Sequence, residues 1–410
     1  MADNAENNSE DEFRDMMRDF LSGDGEIDPA KLAGAAGLPN DPAMIQQLLS
    51  QLQNALGKSG DGINWDIALE QAKNLASQST VVSLPAERSK LEQAMHVAAL
   101  WLNEVTDISE LTVEPKLLSR SEWVTITMPI WTQLAEPVAN SIANSLTDVL
   151  KQNAPEEMTD MLSGASKMMR NIGGTLFAMQ LGQVVGQLSS EVVSGGDIGI
   201  PLFDEQQAVL VPQSVFAFGN GLDLPDSEIH LYLSVRELAS DFDPNNPEEL
   251  RDAMTNGSLI PPKSEEQREA LERLETVLAL VEGWVDVVTA AATSRLPARE
   301  AIAETVRRRR ASGGPAESAF ATLVGLELRP RRLREAAAMW QHVTDELGAE
   351  QRDSLWSHPD LMPTAADIDD PAALVARLRD GGSTPDDIDQ AINDLLNDES
   401  GDRPHEGDNS

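Results

Sequence analysis

The chain has 410 residues, 41% of them hydrophobic, so it is long and apolar enough for a substantial core in one large or two medium domains. Its formal net charge of −38 repels phosphate backbones and argues against nucleic-acid binding. Cysteine is absent, which excludes disulfides and thiolate zinc ligands and fits a reducing compartment.

Both ends of the chain are acidic. Residues 1–61 start with MADNAENNSEDEF, which lacks the basic and apolar segments of a secretory signal. We expect them to form a flexible leader with one short helix from Met44 to Leu56. Residues 381–410 are predicted to be an acidic disordered tail, and a binding role for either end stays open. No stretch reaches the roughly 20 apolar residues that a membrane span needs, so we expect a cytoplasmic protein that does not enter membranes.

The first half of the intervening region, 62–380, shows mainly helical spacing. A helix is predicted to begin at Pro85, and a second carries apolar residues from Trp123 to Leu150, with its tryptophans in the core. Gly182 and Gly186 lie one turn apart and indicate close packing of two helices in a core. The short apolar run Ala208–Val211 predicts a small β element near residues 207–212.

The second half continues the helical pattern. Pro225 and Asp226 indicate a helix start, and apolar residues from Leu271 to Val288 predict a long buried helix. A further helix is expected to end in the basic run Arg307–Arg310, and residues 360–370 are expected to form a loop. The fold class is therefore predicted to be mainly α, with one small β element.

The side chains that could support catalysis are few. None of the five histidines lies three or four residues from another, so no helical His-Glu-x-x-His zinc motif exists. Glu275, Glu282 and Asp286 share one side of the long helix, either as a hydrated face or as a ligand or base that faces a cleft. The basic run Arg307–Arg310 either pairs with nearby glutamates, the interpretation that we favour, or binds phosphate or an acidic partner.

Four long strings stand out in the sequence: GGTLFAMQLGQVVGQLSSEVVSGGDIGIPL, RLETVLALVEGWVDVV, ETVRRRRASGGPAESAFATLVGLELRPRRLREAAAMW and WSHPDLMPTAADIDDPAALV. In this order they resemble the zincin-like family of zinc-dependent metalloproteases. The resemblance covers roughly residues 63–379 and rests on long runs of sequence, not on a short pattern. A sister branch, associated with deazaflavin coenzyme biosynthesis, carries His-Glu-x-x-His, whereas the branch that this chain resembles carries Arg-Glu-x-x-His.

The resemblance implies a degenerate motif at Val235–Ser240. Glu237 matches the general base, which here would be vestigial, while Arg236 and Ser240 stand where the two histidines would be. In a second alignment, several helical turns that include the histidine are missing, which would leave a gap beside this helix. Glu282 resembles a third, glutamate-type ligand.

The family implied by the resemblance uses zinc, but for this chain we expect no cofactor. The leading hypothesis is a catalytically degenerate metallopeptidase relative that binds a protein or peptide. One alternative is an active metallohydrolase with a non-standard site at Glu237 and Glu282. Another is a helical adaptor in which the cleft has no role.

Overall fold

The computed structural model describes residues 63–78, 83–108, 113–152, 159–200, 202–203, 207–241, 265–313 and 332–380. The predictions for the leader 1–61 and the tail 381–410 fall outside these residues. Within the described part of the chain, helices predominate and the strands are two residues long, which confirms the mainly α fold. The helices are α1 Asp66–Gln78, α2 Pro85–Leu102, α3 Arg120–Gln152, α4 Thr159–Glu191, α5 Pro212–Gly219, α6 Asp226–Ser240, α7 Glu265–Ala292, α8 Arg299–Ser312, α9 Leu333–Leu347, α10 Ala349–Ser354, α11 Ala365–Asp369 and α12 Pro371–Arg379, with 3-10 turns at Gly195–Ile198 and Pro359–Leu361.

The β element forms where the sequence predicts it. Strand β1, Lys116–Leu117, pairs in parallel with β2, Val209–Leu210. The Lys116 N–H donates to the carbonyl of Ala208 at 2.9 Å. Because β2 is also buried, this pairing satisfies backbone groups that have no access to water.

One hydrophobic core is built on α1, α3 and α4, and it buries Trp123 and Trp131 completely. The predicted close approach of helices occurs between α4 and α1. A Cβ at Gly182 would lie 2.5 Å from the carbonyl oxygen of Ala68, and one at Gly186 would lie 2.8 Å from the Leu75 Cβ. Only glycine leaves enough room for these helix backbones to touch.

A second core joins α2, α6, α7 and α9, and it contains the fully buried Trp284 and Trp340. The two cores meet at β2, because Leu210 belongs to the second core and the next residue, Val211, belongs to the first. Successive side chains of an extended segment point to opposite sides, so the extended residues Leu210 and Val211 contact the two different cores. The residues discussed below lie next to this junction.

Helix boundaries follow the predicted signals at Pro85 and Asp226, but the predicted loop over 360–370 is wrong. That segment contains a 3-10 turn and α11. The Thr364 N–H and hydroxyl both donate to the Asp367 carboxylate at 2.8 Å, so a local cap nucleates a helix too short to show apolar periodicity. None of the described helices combines the length and apolarity that crossing a bilayer requires.

Candidate functional site

Helix α6 is buried along most of its length and carries the two neighbouring residues Arg236 and Glu237. Their exposed fractions are only 7% and 2%. Neighbouring side chains on a helix point about 100° apart, so the two charged groups contact different parts of the protein. Burial of a charge is costly unless partners surround it, so these contacts determine what each group can do.

The Glu237 carboxylate is surrounded by hydrogen-bond donors. Its Oε1 accepts from the N–H groups of Gly195, at 3.1 Å, and Val209, at 2.6 Å. Its Oε2 accepts from the Gly196 N–H at 3.0 Å, and the Ser194 side chain also donates to the carboxylate. An ionised carboxylate offers about four acceptor positions, so these four donors use its capacity. Glu237 thus ties α6 to the 3-10 turn and to β2.

The two glycines of this turn are needed for the close approach of α6. A Cβ at Gly195 would lie 2.8 Å from Glu237 Oε1, and a Cβ at Gly196 would lie 2.5 Å from the Ser240 Cβ. The Ser240 hydroxyl donates back to the Arg236 carbonyl at 2.8 Å. Ser240 therefore closes the contact with the turn and directs its hydroxyl to its own helix.

A second carboxyl group, Asp241, lies at the end of α6. Burial raises the pKa of Glu237 above its usual range, and the N–H donors around it oppose that rise. Burial, together with the nearby charge of Glu237, raises the pKa of Asp241 to about 8. Since Glu237 has the larger set of donors, which favours its ionised form, we assign the proton of the pair at neutral pH to Asp241.

The Glu282 carboxylate, on α7, lies between two arginines. Glu282 Oε2 accepts from Arg236 Nη2 at 2.8 Å, and its Oε1 accepts from Arg310 Nη2 at 2.5 Å. Burial lowers the pKa of Arg236, but the charges of Glu282 and Asp286 outweigh this effect and raise it overall. Glu282 is only 4% exposed, so the expectation of a hydrated face is wrong for this residue. Glu275, on the same helix, is exposed.

The basic run at the end of α8 pairs partly as expected. Arg308 and Arg307 contact Glu304 on their own helix, at 2.7 and 3.6 Å. The remaining contacts reach other elements, however. Arg307 also lies 3.7 Å from Asp286, and Arg309 lies 3.5 Å from Asp197 in the 3-10 turn. These long-range pairs join α8 to α7 and to the turn that holds Glu237.

A family model described as "Zincin-like metallopeptidase" matches residues 63–243 and 238–375. The chain belongs to this family. A crystal structure of a proposed hydrolase with a novel fold from Chloroflexus aurantiacus is similar at 19% identity, covering 77% of this chain and 99% of that one with a TM-score of 0.59. At this identity the likeness shows the fold alone. No curated protein matches the chain.

The family is one of metallopeptidases, and the sequence resemblance implies zinc, so the donor atoms of this site are compared with what zinc requires. Zinc binds three or four N, O or S ligands in a near-tetrahedral array. At this site Arg236 carries a fixed positive charge, and the oxygens of Glu282 are already bound by two guanidinium groups. Among the described residues, no group of three or more His, Cys, Asp or Glu side chains is arranged to hold a metal. These residues do not fit a zinc ion.

A cleft and a small cavity lie next to these charged groups. The cleft has a volume of about 380 Å³ and is lined by the end of α4, the 3-10 turn, α5 and the end of α8. The cavity, of about 10 Å³, borders α6 through Leu233 and Arg236. Glu237 lines neither of these two spaces.

Sequence reasoning missed the partners of the predicted site residues. Asp197 and Arg310 complete the charge network, and Gly195 and Gly196 hold Glu237. The dipeptide Gly195–Gly196 was visible within a matching string, but nothing in its local pattern indicated a carboxylate 41 or 42 residues away.

Proposed function

We propose that this chain is a degenerate member of the zincin-like metallopeptidase family that acts by binding a protein or peptide instead of by zinc-dependent hydrolysis. The observation that carries the proposal is the state of Glu237. A general base must offer a free lone pair to a proton of the attacking water. The four donors around the Glu237 carboxylate use its acceptor positions, so the residue acts as a structural tie.

The residues at the two motif positions support the same conclusion. Arg236 replaces an imidazole by a permanent cation, and Ser240 offers a hydroxyl that is already bonded to its own helix. The two parts of the family match overlap at 238–243. No residue of this chain lies unmatched between them, so the interruption fits a segment of the family that this chain lacks. That segment would begin where the second histidine is expected.

The alternative of an active metallohydrolase at Glu237 and Glu282 requires both carboxylates to leave their partners. Glu237 would have to give up backbone donors, and Glu282 would have to give up two arginines. Breaking a buried ion pair costs about 3–5 kcal/mol for each pair, before any metal is bound. Each carboxylate is held by its own set of hydrogen bonds, and this favours the binding role over the active metallohydrolase.

Metal content and hydrolysis, measured together, test the proposal. Zinc per chain would be determined by elemental analysis on protein purified without chelator, and peptidase activity on a random peptide library with added zinc. The variants are Glu282→Gln at the candidate ligand, Glu237→Gln at the candidate base and Glu304→Gln as an exposed control on α8. We expect substoichiometric zinc in all four proteins and no cleavage.

Two results together would overturn the proposal. The first is near-stoichiometric zinc in the wild-type protein that is lost in Glu282→Gln and kept in Glu304→Gln. The second is peptide cleavage that Glu237→Gln abolishes while zinc remains bound. Circular dichroism of each variant separates loss of zinc from loss of the fold.

A further inference from the structure

The cleft beside Arg309 has the size and lining of a small-ligand site. Its volume of about 380 Å³ lies within the roughly 300–1,000 Å³ that is usual for such pockets. Hydroxyl groups of Ser214 and Thr305 and the guanidinium of Arg309 supply polar contacts. The guanidinium carbon of Arg309 lies 5.9 Å from the centre of the Phe218 ring. Apolar surface comes from Leu188, Val192, Ile198, Ala217 and Phe218.

The small cavity adjoins this cleft and is lined by Arg236, a residue with one unsatisfied donor. Both spaces are lined by Asp197, Phe218 and Arg309. The Nη1 atom of Arg236 is buried and has no hydrogen-bond partner, and its nearest carboxylate oxygen, on Asp286, is 3.6 Å away. The cavity volume of about 10 Å³ is close to the minimum that holds one water molecule or one ligand oxygen. An acceptor oxygen there would satisfy a buried cationic N–H, which is costly to leave unpaired.

A network of charged groups surrounds the two spaces, and the charged residues that line them directly are Arg236, Arg309, Glu191 and Asp197. Asp197, Glu282 and Asp286 each have an arginine within 4 Å. Arg120 donates to two groups that line the cleft, the Ser190 carbonyl and the Ser214 hydroxyl. The groups of the network are the arginines Arg120, Arg236, Arg307, Arg309 and Arg310, and the carboxylates Glu191, Asp197, Glu282 and Asp286. Within this network the Nη1 atom of Arg236 is buried without a hydrogen-bond partner, so the site offers a cationic donor to an incoming acceptor oxygen.

We propose that the cleft binds a carboxylate carried by an apolar group, with one oxygen directed to Arg309 and towards the cavity at Arg236. Guanidinium groups bind carboxylates through parallel N–H bonds. A phosphate carries about −1.5 to −2 charges and would face Asp197 and Glu191 in the same cleft, so a singly charged acid fits better. The apolar group would lie on Phe218 and Ile198. This inference deepens the proposed binding function and rests on it.

Calorimetric titration of the full chain tests the proposal. The probe is N-acetyl-leucine, and its uncharged amide, N-acetyl-leucinamide, has the same shape without the charge. We expect the acid to bind and the amide to bind at least tenfold more weakly. Arg309→Gln should weaken binding of the acid at least tenfold. Arg308→Gln is the matched control, because Arg308 adjoins Arg309 in sequence but is exposed and pairs with Glu304. This substitution should change the affinity less than twofold.

Two further probes determine which kind of carboxylate the cleft binds. A peptide with a free C-terminus and a peptide with an amidated C-terminus but internal glutamates distinguish a terminal carboxylate from an acidic side chain. Binding of either one, with the same loss in Arg309→Gln, supports the proposal. Equal binding of acid and amide, equal loss in both arginine variants, or no binding of any acid would overturn it.

Titrations with EDTA and with added zinc separate this inference from the proposed function. Binding that persists in EDTA supports both. An acid that binds only after zinc is added would coordinate the metal, and this result would overturn both. The absence of binding in either condition, with no zinc taken up, would overturn the carboxylate site and leave the proposed function intact.

Discussion

The Glu282→Gln substitution tests whether the buried charge network is held together by its central carboxylate. The change keeps the size of the side chain and removes its charge. It leaves Arg236 and Arg310 with a neutral partner at exposed fractions of 7% and 8%. Removing one partner of a buried ion pair costs about 3–5 kcal/mol, because an uncompensated charge stays buried. Both arginines keep another carboxylate nearby, Asp286 at 3.6 Å for Arg236 and Asp197 at 3.9 Å for Arg310. We therefore expect a loss near the lower end, about 3 kcal/mol.

Urea unfolding followed by circular dichroism measures this loss as a change in the midpoint at constant slope. Glu304→Gln is the control, since its ion pairs lie on the surface of α8, where a pair contributes only about 0–1 kcal/mol. The double variant Glu282→Gln/Arg310→Met removes one of the orphaned cations and should recover part of the loss. If Glu282→Gln costs no more than Glu304→Gln, the network does not stabilise the fold and the reasoning is wrong.

Three further predictions concern α6 and the packing of α4. The folded-state pKa of Asp241, about 8, exceeds the usual 3.8, so the contribution of Asp241 to stability is present below pH 4 and is lost as pH rises towards 8. At pH 8 the urea midpoint of Asp241→Asn should therefore exceed that of the wild type, and equal midpoints would contradict this. Gly182→Ala should destabilise by about 1–3 kcal/mol in the same assay, because its Cβ would lie 2.5 Å from a backbone oxygen, whereas Gly219→Ala, with its nearest atom at 3.4 Å, should be tolerated. The double variant Arg236→His/Ser240→His should not take up stoichiometric zinc, because Glu282 stays bound to Arg310; elemental analysis that finds one tightly bound zinc per chain would refute this.

The predictions that succeeded rest on contacts between residues close together in the chain. Apolar residues three and four apart indicated the buried face of α7, and Pro85 and Asp226 marked helix starts. The β element near Val209 was visible because a short apolar run stands out in a helical sequence. The loop predicted over 360–370 failed because its capping residues act over three positions and leave no apolar repeat.

The charged site could be predicted only in part. The family resemblance identified four candidate residues, Arg236, Glu237, Ser240 and Glu282. It did not predict which groups each of them contacts. Four carboxylates of similar local pattern received different environments: Glu275 is exposed, Asp286 is half-buried, and Glu282 and Glu237 are buried with entirely different partners.

The sequence by itself determined the mainly helical fold, because helix formation depends on side-chain spacing and capping within a few residues. It also determined the absence of a paired-histidine zinc motif, since ligand spacing on a helix can be read directly. Only the tertiary structure decided that Glu237 accepts N–H groups from a turn 42 residues away and that Glu282 lies between two arginines. Those contacts arise where two cores meet, and no local spacing specifies which distant donors a buried carboxylate will find.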